Sequence, residues 1–132
     1  MDLNKEIKKL RKRQQKIAEE SQLARAKEWA HLDTLARCCI YYVTTWGKIS
    51  HTSANEKSAS LHLEHRDRDL VVTVSFQNIT QEAECSFTLW VKRGKHLLLE
   101  VSGSYASGVH NIQKRTYVPG ADWERRILFA NE

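Results

Sequence analysis

From Leu3 to about Thr44 the chain keeps apolar residues at helical spacing for some forty residues, with no proline or glycine to interrupt them. At 1.5 Å of rise per residue such a helix spans roughly 60 Å, about twice the reach of any sheet the remaining residues can build. Part of it is therefore expected to project beyond its own domain and to meet a partner.

The stripe consists of Leu3, Ile7, Leu10, Ile17, Ala18, Ala24, Trp29, Leu32, Leu35, Ala36, Cys39, Tyr42 and Val43, which fall within about 140° of arc at 100° per residue. Between residues 3 and 24 it follows a 4-3 spacing with weak members at Gln14 and Ser21, as in a short coiled-coil seam. From Trp29 onward it becomes wide and aromatic, the pattern of a helix buried against a sheet. Residues 3–22 are thus the expected projecting half and 24–45 the packed half. A break near Ser21 is the alternative, and Gly47 is the expected residue past the helix end.

The charge is uneven. Residues 1–31 hold nine Lys/Arg against five Asp/Glu, whereas the remainder holds twelve against eleven. The excess lies in Lys5, Lys8, Lys9, Arg11, Lys12, Arg13 and Lys16, mostly opposite the apolar stripe. Such a local excess favours a polyanion or an acidic partner; its plain alternative is a solvated face that keeps the helix soluble.

The chain of 132 residues is expected to form one domain with an appendage: residues 1–22 as the basic helix and 23–132 as the globular part. One proline and five glycines leave little room for a flexible linker. No segment approaches the twenty apolar residues of a membrane span, and MDLNKEIKKL lacks the apolar core of a secretory leader. Cys38, Cys39 and Cys85 are odd in number and two are adjacent, which suits free thiols in a reducing, intracellular compartment.

Residues 47–60 are small and polar, and a loop is expected there. The period then changes to two. The apolar residues of Leu61–Leu63, Leu70–Phe76, Cys85–Val91 and Leu97–Val101 fall at every second position, between mostly polar neighbours, as in half-buried strands of an antiparallel meander. Arg66–Asp69, Asn78–Gln81 and Arg93-Gly94 are the expected turns. A polar fifth strand is expected over 110–118, and 122–129 fits either a short helix capped by Asp122 or a last strand. The fold class that follows is α+β: a long N-terminal helix packed across a four- to five-stranded antiparallel sheet, a layout shared with cystatin-like folds.

Few constellations promise chemistry. His62-Leu63-Glu64-His65 would place its two histidines on opposite sides of a strand, with no further ligands at metal spacing. His65-Arg66-Asp67 opens like a kinase catalytic loop, but Arg68 and Val72 stand where leucine and asparagine belong. Glu64, Glu100, His96 and His110 remain as titratable groups able to share the open sheet face. No cofactor is expected.

The outward sheet face carries Val71, Trp90 and Leu98 on three consecutive strands. Either they form an exposed partner surface, or the C-terminal Trp123, Ile127 and Phe129 fold back to cover them. Lys92, Arg93 and Lys95 at a hairpin, with Lys114-Arg115 and Arg125-Arg126, extend the candidate basic surface.

Three functions follow in order. The first is a non-catalytic nucleic-acid binder, RNA before DNA, acting as a homodimer through phosphate and shape contacts. The second is an interaction module in which Leu3, Ile7, Leu10 and Ile17 pair with a second copy or with another helical or acidic partner. The third is a small enzyme or ligand carrier with a pocket between Trp29–Trp46 and a concave sheet.

Overall fold

The computed structural model describes residues 2–80, 82 and 84–130. The element order is α1 (Leu3–Trp46), β1 (Lys48–Ala54), β2 (Ala59–Asp67), β3 (Leu70–Ile79), β4 (Cys85–Arg93), β5 (His96–Tyr105), β6 (Val109–Tyr117) and α2 (Ala121–Leu128). The six strands follow one another in a single antiparallel sheet in chain order. The α+β layout read from the sequence is the one formed, with one or two more strands than expected. The chain divides into two compact units, one up to Leu32 and one from Asp33 on.

The extra strand is β1, which occupies the stretch expected to be a loop. All seven of its residues are exposed. An outer strand with neither face covered needs no alternation, so Lys-Ile-Ser-His-Thr-Ser-Ala leaves no period-two signal. α1 has no break at Ser21. The turn expected at Asn78–Gln81 starts later, because β3 runs to Ile79; Gln81 lies outside the described residues, and the Thr80 N–H donates to the Glu84 carbonyl at 3.0 Å across this connection. Arg68, at φ 57°, and Gly94, at φ 58°, hold the tight turns that join β2 to β3 and β4 to β5.

In the second unit Leu35, Ala36, Cys39, Ile40, Tyr42 and Val43 of α1 are buried, as are Val72, Val74, Phe87, Leu89, Val91, Leu99 and Val101 of the sheet. Cross-strand pairs such as Val74↔Leu89 and Leu89↔Val101 align this inner face. Burying a leucine or valine fully contributes about 1.5–3 kcal/mol each. Arg37 donates through Nη2 to the Val109 carbonyl at 3.1 Å, and Tyr42 meets the His65 ring edge-on at 4.9 Å. Residues 33–46 therefore run across the sheet from β6 to β2. The helix ends where Gly47 donates to the Val43 carbonyl at 2.8 Å. A Cβ there would collide with that carbonyl oxygen and lie 2.8 Å from the carbonyl oxygen of Glu64. Close backbone approach is what this position requires of glycine.

The segment 122–129 resolves as helix. Its N-cap is Gly120 rather than Asp122, and Asp122 lies in the first turn. Glu124 takes over the capping task, accepting from the Gly120 N–H at 2.9 Å and the Tyr117 hydroxyl at 2.7 Å. Trp123 and Ile127, four residues apart on one face, are buried, while Phe129 is exposed. Glu124 is near enough to Cys39 to help raise its thiol pKa, and Arg126 shares a cavity with Tyr42. α2 thus packs beside α1 on the inner face, so Trp123, Ile127 and Phe129 do not fold over the outward face.

Candidate partner and nucleic-acid interface

In the first unit every described residue up to Lys27 is exposed. Leu3, Ile7, Leu10, Ile17 and Leu23 are among the large apolar side chains left in solvent, with Leu10 at 55% and Ile17 at 64% exposure. Ala24 and Trp29, grouped above with the packed half, are exposed too. An exposed stripe at 4-3 spacing is what a helix presents when its partner is another helix.

On the opposite side, helical spacing gathers Lys5, Lys8, Lys9, Lys12 and Lys16 within about 100° of arc, with Arg11 and Arg13 flanking the apolar stripe. Lys9 lies 3.6 Å from Glu6. None of Lys5, Lys8, Arg11, Lys12, Arg13 and Lys16 pairs with a carboxylate of a described residue. Their charges are available to an external anion.

The basic residues of the second unit are differently placed. Lys92 and Lys95 are exposed, but Arg93 lies 3.2 Å from Asp69 through Nε. Arg115 faces Glu100 at 3.7 Å, and Lys114 also has a partner. Arg126 donates to Asp69 at 2.8 Å and to Asp67 at 3.2 Å. That contact to Arg126, more than any other, holds the Asp69 carboxyl below its ordinary pKa. Arg93 and Arg126 tie neighbouring elements together, and of this set only Lys92, Lys95 and Arg125 have no carboxylate of a described residue at hand.

The outward sheet face also departs from expectation. Val71 and Trp90 are half-buried, and the Trp90 indole N–H donates to Glu100 at 3.0 Å. Leu98 is only 7% exposed. It is the extra residue of a bulge, since Val91 pairs with Leu99 while Lys92 pairs with Leu97. The insertion removes it from the outward alternation. What remains outward is a carpet of Ser and Thr around Trp90.

Glu64, Glu100, His96 and His110 do not come together on the sheet face. Glu64 and Glu100 are three strands apart in the sheet order, roughly 14 Å at normal strand spacing. His96 opens β5, whereas His110 lies at the other end of the sheet, its ring against the Ala106 carbonyl at 3.2 Å. His62 contacts Ser75 at 3.4 Å, and His65 turns to Tyr42 on the inner face. Among the described residues no three of His, Cys, Asp or Glu come together to hold a metal ion. The three cysteines are free, and burial pushes the Cys39 thiol far above its ordinary pKa. In residues 33–46, Leu35, Ala36, Cys39 and Val43 are fully buried.

Sequence reasoning missed one feature. Trp46, at the end of α1, is 54% exposed and flanks a cleft with Lys48, Ile49, His65 and Arg66. Expecting a loop after Gly47 hid the strand that forms its wall. Among the described residues no helix is long and apolar enough to cross a membrane. Comparison with protein families, curated proteins and solved structures finds no match.

Proposed function

We propose that the protein is a non-catalytic nucleic-acid-binding protein that holds a phosphate backbone with the basic face of α1 and acts as a homodimer. The supporting observation is the row of exposed cations at Lys5, Lys8, Lys12 and Lys16 that no described carboxylate neutralises. Unpaired cations along a rod release counterions from a polyanion without first breaking an internal ion pair. RNA is the better fit, because double-stranded RNA is gripped through shape and phosphates rather than base edges. Three free cysteines favour a reducing, intracellular setting.

The test is an electrophoretic shift series with RNA and DNA duplexes at rising salt. If five lysines meet phosphates on a duplex, log K falls against log salt with a slope of roughly −4 to −5. Joint replacement of Lys8, Lys9, Lys12 and Lys16 by Glu abolishes binding and leaves the melting temperature in place. Affinity that survives several hundred millimolar salt with little loss overturns the reading.

Self-assembly has its own support. With Leu3, Leu10, Ile17 and Ala24 as one seam position and Ile7, Gln14 and Ser21 as the other, Glu6 and Glu20 precede Arg11 and Arg25 by five residues. In a parallel, in-register pair these become opposite charges across the seam, and polar Gln14 pairs with itself. An unrelated helical or acidic protein partner is the second reading, favoured by the same exposed stripe. Leu10→Asp with Ile17→Asp separates the two: it halves the solution mass if the partner is a second copy.

A further inference from the structure

β1 begins at Lys48, opposite Glu64, while β2 continues to Asp67. Among the described residues no strand therefore lies beside residues 65–67 on that side of the sheet. α1 ends at Trp46, and the close approach at Gly47 brings the chain back at once along β2. These features leave a notch of about 460 Å³. Trp46 and Ile49 form its apolar wall, and Lys48, Glu64, His65 and Arg66 its polar one. A second cavity of about 240 Å³ shares Trp46 and His65 with it and reaches Tyr42 and Arg126.

The inventory of the notch is specific. It offers one broad aromatic face, two cations, a carboxylate, an imidazole and the polar edge of a strand. Neither Lys48 nor Arg66 is paired with a carboxylate of a described residue, and the Trp46 indole donates to none of them. A flat ring with hydrogen-bonding edges and an attached anion matches all of these at once. The ring stacks on the tryptophan, its edge meets the carboxylate, imidazole or strand backbone, and the anion lies between the cations.

We propose that this notch binds an unpaired nucleotide, with the base on Trp46 and the phosphate held by Lys48 and Arg66. The ligand class rests on the nucleic-acid reading above, but the site uses none of the cations between Lys5 and Lys16. It gives the protein a means of holding single-stranded segments or ends that a basic helix face alone lacks. The same chemistry is offered by a free nucleoside monophosphate and by a nucleotide within a strand.

The experiment is a calorimetric titration with uridine 5′-monophosphate, a short oligouridylate and a blunt RNA duplex. The proteins are the full chain, Trp46→Ala, Trp46→Phe, Lys48→Glu with Arg66→Glu, and the four-lysine helix variant. Melting curves check that each variant is folded, which the exposure of these side chains leads us to expect. Trp46→Ala weakens oligouridylate binding by roughly ten-fold or more, Trp46→Phe restores most of it, and duplex binding is unchanged. Monophosphate binding that needs Trp46 identifies free nucleotide as a sufficient ligand; binding of the oligonucleotide alone identifies a strand. If the helix variant loses duplex binding but keeps Trp46-dependent binding, both proposals stand. If it keeps all binding, the helix reading falls and the notch remains. Trp46→Ala leaving oligouridylate affinity within about two-fold, or binding of neither single-stranded probe, overturns the notch.

Discussion

Leu10 and Leu35 occupy the same apolar stripe of α1, yet Leu10 is 55% exposed and Leu35 is fully buried. Around Leu10 the other faces carry Lys8, Lys9, Lys12 and Arg13; around Leu35 the buried neighbours are Ala36, Cys39 and, a turn later, Tyr42 and Val43. The periodicity that makes a helix amphipathic says only that one side avoids water. Whether that side is satisfied by the chain's own sheet or awaits another molecule depends on what lies opposite, and side-chain breadth is the clue. A narrow seam of Leu and Ile fits one partner helix, and a wide aromatic face fits a sheet.

The largest expected effect breaks this comparison directly. Leu35→Ala leaves a cavity over the sheet and lowers stability by about 2–5 kcal/mol, read as a shift of the urea midpoint. Leu10→Ala, made in the same stripe, leaves the midpoint of the sheet unit within roughly 0.5 kcal/mol and acts on the proposed assembly instead. Equal losses from the two substitutions would mean that Leu10 is as much a core residue as Leu35.

A smaller effect lies at the packed end, where Arg126 joins α2 to the β2–β3 turn through Asp67 and Asp69. The Asp69 pKa is depressed in the folded state, chiefly by the Arg126 hydrogen bond. Its contribution is therefore present at neutral pH and is lost as pH falls through a folded value below the ordinary carboxylate pKa. Arg126→Ala removes that contact and flattens the acid limb of a stability–pH profile. The proposed nucleic-acid binding by α1 should not respond to the change.

The smallest effect contrasts two adjacent residues. Cys38 lies at the edge of the packed face and Cys39 is wholly buried, with burial raising its thiol pKa strongly. Alkylation of the native protein, followed by peptide mass mapping, should label Cys38 and Cys85 well before Cys39. Early labelling of Cys39 would show that the packed half opens as readily as the exposed half is wetted.

Much of the fold was legible because its strands are half-buried. Val72, Val74, Leu89, Val91, Leu99 and Val101 alternate with mostly polar residues, and a one-residue slip would turn them all into water. The edge strand β1 was illegible for the converse reason, since neither of its faces is covered. Leu98 escaped because a bulge adds one residue and shifts the period. The α2 segment matched both templates until burial of Trp123 and Ile127, four residues apart, decided it. Arg93 read as a free cation because its partner Asp69 is distant in sequence; the Leu70↔Arg93 pairing brings them together.

Local periodicity and charge order along the chain determined a long amphipathic helix, a cationic row on its first turns and an antiparallel meander, because each follows from neighbours a few residues apart. Only the tertiary structure decided which arginines are spent as internal staples, where the bulge removes Leu98 from the surface, and that Trp46, Lys48 and Arg66 share a notch. Those facts depend on strand pairing and on where two strands end, which bring together residues that sequence spacing keeps apart.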